Sequence, residues 1–159
     1  MTTEKLKFKL EVWVTYWNQV PVVELLINDH SHYKKPINGT ENEPTIIEFE
    51  HELTEGEKYS LIIERLGKDR GQTVIEDGKI TKDQLLHIKS IEIDEIDIGA
   101  LVYEGIYTPE YPEPWASQQK QAGNALPESF KNVTNIGHNG RWELGFTSPF
   151  YMWLLENLY

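Results

Sequence analysis

This 159-residue sequence predicts an all-β fold, an antiparallel β-sandwich followed by an extended arm and a short terminal helix. Three observations carry that expectation. Leu6, Phe8, Leu10, Val12, Val14 and Tyr16 fall on every second residue, with Lys5, Lys7, Lys9, Glu11, Trp13 and Thr15 between them. A period of two sustained over this length belongs to a strand with one buried face, because helical faces recur at three and four. Thr45 to Leu53 and Tyr59 to Leu66 alternate in the same way. From Tyr103 the texture changes to the proline-fixed, aromatic stretch Tyr107-Thr108-Pro109-Glu110-Tyr111-Pro112-Glu113-Pro114-Trp115, which reads as an arm outside any sheet.

The elements follow in order. After the first strand, Asn18-Gln19 predicts a tight turn into the apolar run Val20 to Ile27, so that the two runs pair as a hairpin. Asn28 to Pro44 is polar and turn-rich and reads as a long loop. In the strand Thr45 to Leu53, Ile47, Phe49, His51 and Leu53 share one face and Glu48, Glu50 and Glu52 the other; the turn at residues 54–57 predicts a second hairpin with Tyr59 to Leu66. Asp77-Gly78 is a hairpin signal, since the favoured two-residue turn needs positive φ at both positions. The segment Gln84 to Ile98 changes the phase of its alternation twice, which predicts bulges or bends near Ser90 and Glu95. Pro114 opens a short helix that Gly123 stops, and Asn139-Gly140 turns into a strand with Trp142, Leu144 and Phe146 aligned. Ser148-Pro149 starts a terminal helix that is apolar nearly all round and therefore wants cover on several sides. The expected division is a sandwich over residues 1–102, with the arm, a strand and the helix of residues 103–159 packed on it.

Composition narrows the function classes. A chain of this length can bury roughly 70% of its unfolded surface unaided. The sequence has no Cys, hence no thiol chemistry and no Cys-ligated zinc. A formal net charge of −11 argues against nucleic acid and anionic membrane as partners, because phosphates demand clustered Lys and Arg. Residues 41–57 carry seven Glu without Lys or Arg, the pattern of solvated strand faces. The Met-Thr-Thr-Glu-Lys start lacks the apolar core of a signal peptide, and Phe150 to Leu155 is far shorter than a membrane span.

The catalytic templates are missing: no nucleophile elbow, no phosphate-cradling loop and no H-E-x-x-H helix, so a non-enzymatic module is expected. His30-Ser31-His32 would place two imidazoles on one side of a strand and resembles the His-x-His of cupin-type metal sites, but Glu41 falls too late to be the next ligand. Asp29, Asp69, Asp77 and Asp83, near strand ends, are the oxygen donors that a calcium ion would use. Trp13 and Trp17 stand out as aromatics, Trp13 on the polar face of the first strand beside Lys and Glu; each is a platform for a sugar ring or partner, or a ring covered by the arm or helix. Tyr107, Tyr111 and Trp115 in the arm carry the same alternatives and that of docking on a neighbouring subunit.

Two segments, Asp83 to Gly99 and Asn139 to Leu144 continuing through Pro149 to Leu155, resemble small proteins of large contractile-tailed phages, especially marine ones. The first hundred residues are similar in turn to the calcium-dependent, xylan-binding type of carbohydrate-binding module, a β-sandwich jelly roll. That resemblance implies a calcium ligand just before the last strand, which by position is Asp83, with Asp69 and Asp77 as candidates for further ligands. It also implies a virion protein that recognises surface glycan. The alternative is a decoration, neck or tail component that binds other virion proteins, and a homo-oligomer formed through the apolar helix is compatible with either.

Overall fold

In a computed structural model of the chain, residues 2–68 and 73–158 are described. The strands are β1 (Thr3–Thr15), β2 (Val22–Ile27), β3 (His30–Pro36), β4 (Thr45–Thr54), β5 (Lys58–Leu66), β6 (Val74–Glu76), β7 (Lys79–Lys82), β8 (Leu85–Ile93), β9 (Ile96–Asp97), β10 (Ile106–Pro109), β11 (Phe130–Lys131), β12 (Asn135–Ile136) and β13 (Gly140–Thr147). The helices are α1 (Trp115–Gln121) and α2 (Phe150–Leu158), with a 3-10 segment at Gly99–Glu104. One sheet runs β12-β8-β1-β4 with β9 beside β8, the other runs β11-β10-β13-β5-β2-β3, and β6-β7 stands apart as a hairpin. All pairings are antiparallel.

The alternation of β1 is realised from Leu6 to Val14; Tyr16, read as the sixth member of that face, lies beyond the strand's end and is 45% exposed, whereas Leu6, Phe8, Leu10, Val12 and Val14 are buried. They meet Leu25, Leu61, Ile63, Trp142 and Leu144 of the other sheet in one core, and Phe8 packs on Phe146 across the gap with ring centroids 6.2 Å apart. Full burial of each such side chain contributes about 1.5–3 kcal/mol, so the two inner faces are what hold the sandwich shut.

Both expected hairpins are corrected. β1 pairs with β4 and β8, whereas β2 pairs with β3 and β5 in the opposite sheet, so the link through Asn18 crosses the sandwich. The turn after β4 also crosses: Gly56, at φ 92°, donates to the Ser148 carbonyl, and the Tyr59 hydroxyl accepts from the Thr54 amide. Alternation shows that a strand has one buried face but is silent about which sheet that face belongs to. The polar stretch read as loop contains β3, an edge strand whose outward side chains need no apolar pattern.

Other signals were read correctly. Asp77 and Gly78 have φ of 52° and 77° and close the β6-β7 hairpin. The first phase change in β8 is a bulge, with Lys89 left unopposed between Ile88 and Ser90. The second is a tight turn, Asp94 and Glu95 both at positive φ, joining β8 to β9.

The arm departs most from expectation. Its first part is β10, hydrogen-bonded between β11 and β13, and Tyr107 is 4% exposed. Pro109 is tolerated because β11 pairs only with Ile106 and Tyr107, leaving no ladder partner for a missing amide. Residues beyond 102 thus complete both sheets through β10, β11, β12 and β13. Helix α2 begins where the Glu4 carboxylate accepts from the Phe150 amide at 2.8 Å and from the Ser148 hydroxyl, placing a negative charge at the helix N-terminus. It buries Phe150, Trp153 and Leu154 and leaves Tyr151, Met152, Leu155 and Leu158 exposed.

Gly105 marks a close approach: a Cβ there would stand 2.2 Å from Cε2 of the fully buried Trp142. Gly105→Ala is therefore expected to cost about 1–3 kcal/mol, read as a lower urea midpoint at an unchanged slope.

Candidate functional site

At one end of the sandwich, three connections converge: the exit of β5, the step from β7 to β8, and the step from β12 to β13. The convergence is organised by Arg65, the penultimate residue of β5 and fully buried. Its Nη2 donates to the Gln84 carbonyl at 2.5 Å and to Gln84 Oε1 at 2.8 Å, and its Nη1 donates to Asn139 Oδ1 at 3.3 Å. Burial pulls the guanidinium down to about 10, which leaves it charged at neutral pH.

Lys68 follows on the exiting chain. Asn139 binds its backbone twice, accepting from the Lys68 amide and donating to the Lys68 carbonyl, each at 3.0 Å. The ammonium pairs with Asp83 Oδ1 at 2.8 Å and donates to the Gly137 carbonyl. Asp83 Oδ1 also accepts from Thr73 Oγ1 at 2.7 Å and from the Gln84 amide at 2.8 Å. Burial would raise the Asp83 carboxyl, but these donors outweigh it and hold the group below the usual carboxylate range. Lys68 is lowered by burial, against which the pairing with Asp83 acts.

Above this base lies a cleft of about 580 Å³, walled by Ile75 and Ile80 of the β6-β7 hairpin on one side and by Glu110, Pro112 and Trp115 on the other. Trp115, 37% exposed, stands 5.8 Å from the His138 ring and 6.0 Å from Tyr111. Burial, helped by the charges of Lys68 and Arg65, lowers His138, so its imidazole is neutral at neutral pH. Beneath it the Tyr107 hydroxyl donates to the His138 carbonyl at 2.6 Å and accepts from its amide at 3.0 Å; burial pushes this phenol up to about 12. The Tyr111 hydroxyl donates to the Pro127 carbonyl, and its ring also lines a second cleft of about 630 Å³ on the far side of the arm.

Of the residues singled out in the sequence, the structure gathers Tyr111, Trp115 and Asp83 at this end. Tyr107 is there too, but as buried support for His138; it does not face solvent, because its strand lies inside the sheet. Trp13 lies elsewhere, stacked at 3.8 Å on its cross-strand neighbour His87, which is itself fixed by Thr15 and Asn135. Trp17 is 41% exposed with the Lys82 ammonium 4.8 Å from its ring. Asp77 sits exposed at the hairpin tip, separated from Asp83 by β7, and Asp69 lies outside the described residues. Arg65, Lys68, Glu110, His138 and Asn139 were not singled out. Only the Asn139-Gly140 turn signal pointed to any of them.

Calcium takes six to eight oxygens. The oxygens around Asp83, namely its own Oδ1, Gln84 O and Oε1, Gly137 O and Asn139 Oδ1, already accept from Lys68 or Arg65. Among the described residues no three acidic or histidine side chains are placed to hold a metal. Among the described residues, the donor set therefore does not fit the ion expected at Asp77 and Asp83. Nor does Asp83 suit general-acid chemistry, which needs a carboxyl raised toward neutrality.

The His30-His32 pair does acquire a third imidazole. His51 of β4 comes within 5.6 Å of His30 and 5.0 Å of His32 by ring centroids, but His32 Nε2 and His51 Nδ1 share a hydrogen bond of 2.8 Å with no open position between them.

No family model and no curated protein matches the chain. Among solved structures, the fold is similar to the selenomethionine form of vCBM60, described in connection with a circular permutation linking two families of calcium-dependent carbohydrate-binding modules. The TM-score is 0.51 at 9% identity over 88% of this chain and 90% of that one. A structure of vCBM60 in complex with galactobiose aligns at TM-score 0.47 and 9% identity, covering 87% and 97%. The fold is that of a carbohydrate-binding-module-like β-sandwich, and at this identity the likeness concerns the fold alone.

The imidazole seam gives a pH prediction. Burial, then the charges of His51 and His30, lowers His32 from 6.5 to about 4, and burial, then His30, lowers His51. The unfolded chain takes up these protons first, so stability present above pH 6.5 is expected to fall as pH drops toward 4. Denaturation midpoints across that range should fall less steeply in His51→Gln than in the parent.

Proposed function

We propose that this chain is a non-catalytic carbohydrate-binding module whose ligand lies in the cleft between the β6-β7 hairpin and Trp115. The observation that carries the reading is a half-exposed indole forming a wall of a cleft that also holds two carboxylates, Asp83 and Glu110. A sugar ring presents an apolar face of C–H groups and a rim of hydroxyls. The first stacks on an indole, and the second bonds to carboxylate oxygens and to a neutral imidazole such as His138. The module-like fold supports the same reading. Its setting, on the phage resemblance, is a virion that meets surface glycan.

A second reading, a virion component that binds protein, is favoured by one observation: Tyr151, Met152, Leu155 and Leu158 make an exposed apolar face on α2. In that case the helix is the contact, and the cleft is incidental.

On a glycan array the parent should bind a defined set of sugars, and Trp115→Ala should weaken that binding about tenfold or more. An array blank for the parent would remove the glycan reading. The protein-binding reading expects the parent to assemble in light scattering and Leu155→Glu to run as a monomer; a parent that is monomeric and captures no virion protein would remove it.

A further inference from the structure

The oxygens at the foot of the cleft are the kind of set that a hard cation collects: one carboxylate, two backbone carbonyls and two side-chain amide oxygens. In this chain they surround nitrogen. Lys68 Nζ takes Asp83 Oδ1 and the Gly137 carbonyl, while Arg65 takes both oxygens of Gln84 and that of Asn139. We propose that Lys68 and Arg65 act as organic cations that fill this oxygen set themselves, so that the cleft is shaped, and binds its ligand, independently of divalent ions. The inference rests on the cleft being a glycan site only for its binding half; the structural half stands on the bonds just given.

The two side chains do what a clamping ion does. Lys68 ties the exit of β5 to the segment before β8 through Asp83 and to the segment before β13 through Gly137, and Arg65 makes the same two ties one layer deeper through Gln84 and Asn139. The pair Lys68-Asp83 is well shielded, with side-chain exposures of 11% and 18%. A calcium ion entering this set would have to displace an ammonium from a carboxylate and a carbonyl, and would then stand beside the guanidinium, where like charges repel strongly at reduced dielectric. An ammonium also has no vacant coordination position. On this proposal the hydroxyls of a sugar are read directly by Asp83, Glu110 and His138, which line the cleft.

The test uses the full chain, melted in excess EDTA and in millimolar CaCl2, with glycan binding measured in both. The expected result is a melting temperature and an affinity that do not change between the two. A metal held at ~100-fold over its dissociation constant would raise the melting temperature by roughly 5 °C or more, and a rise of that size, or affinity lost in EDTA, would overturn the proposal. Lys68→Met is expected to lower the melting temperature in both solutions and Lys68→Arg to recover most of it; a Lys68→Met chain that melts like the parent would also overturn it. If Lys68→Met does not fold, the parent's calcium response still decides. If the parent binds no glycan at all, the reading of the cleft fails, while the melts continue to test the clamp.

Discussion

A guanidinium taken out of water at the end of β5 constrains the whole functional end of this molecule. Removing such a charge from solvent costs several kcal/mol unless its donors are met, and Arg65 meets them only where Gln84 and Asn139 are brought to it. Three connections, far apart in sequence, must therefore converge on one point. Once Asn139 is fixed there, its amide holds the Lys68 backbone, which aims the ammonium at Asp83 and Gly137 and leaves His138 projecting beside Trp115. The cleft is thus a consequence of where one strand ends. Arg65 Nε has no partner among the described residues, so the constraint is held at some energetic cost.

The opposite seam, where the edge strands β3 and β4 face each other, is closed by rings. Phe8 stacks on Phe49 at 5.0 Å, Phe49 on His32 at 4.4 Å, and His32 bonds to His51. Neutral imidazoles behave here as aromatics with a polar handle, which lets a polar edge strand adhere to a hydrophobic core. Their protonation would put like charges into that seam.

Strand identity was legible because burial of one face writes a period of two into the chain; β1, β4, β5 and β13 were read from it. Strand partnership was not, since the same period serves either sheet, and two links that look like hairpin turns carry the chain across the core. β3 escaped notice because an edge strand of His, Ser and Lys is chemically a loop, and β10 because Pro109 argues against a sheet unless its neighbour is short. At the site, Trp115 and Asp83 stand out by residue type alone. Arg65, Lys68 and His138 do not, since their roles come from contacts between separate segments, 19 residues apart for Arg65 and Gln84, 31 for Tyr107 and His138 and 74 for Arg65 and Asn139, that no local motif records.

The position of β5 also shapes how the chain must fold. Leu61, Ile62 and Ile63 are buried in succession, and the strand lies at the centre of its sheet. One of its two ladders is completed by β13, whose residues pair with it across some seventy to ninety positions. A growing chain therefore carries a sticky, half-paired edge until Thr147 has been made. Slow closure of such distant pairings, and exposure to misassembly while waiting, are built into the topology.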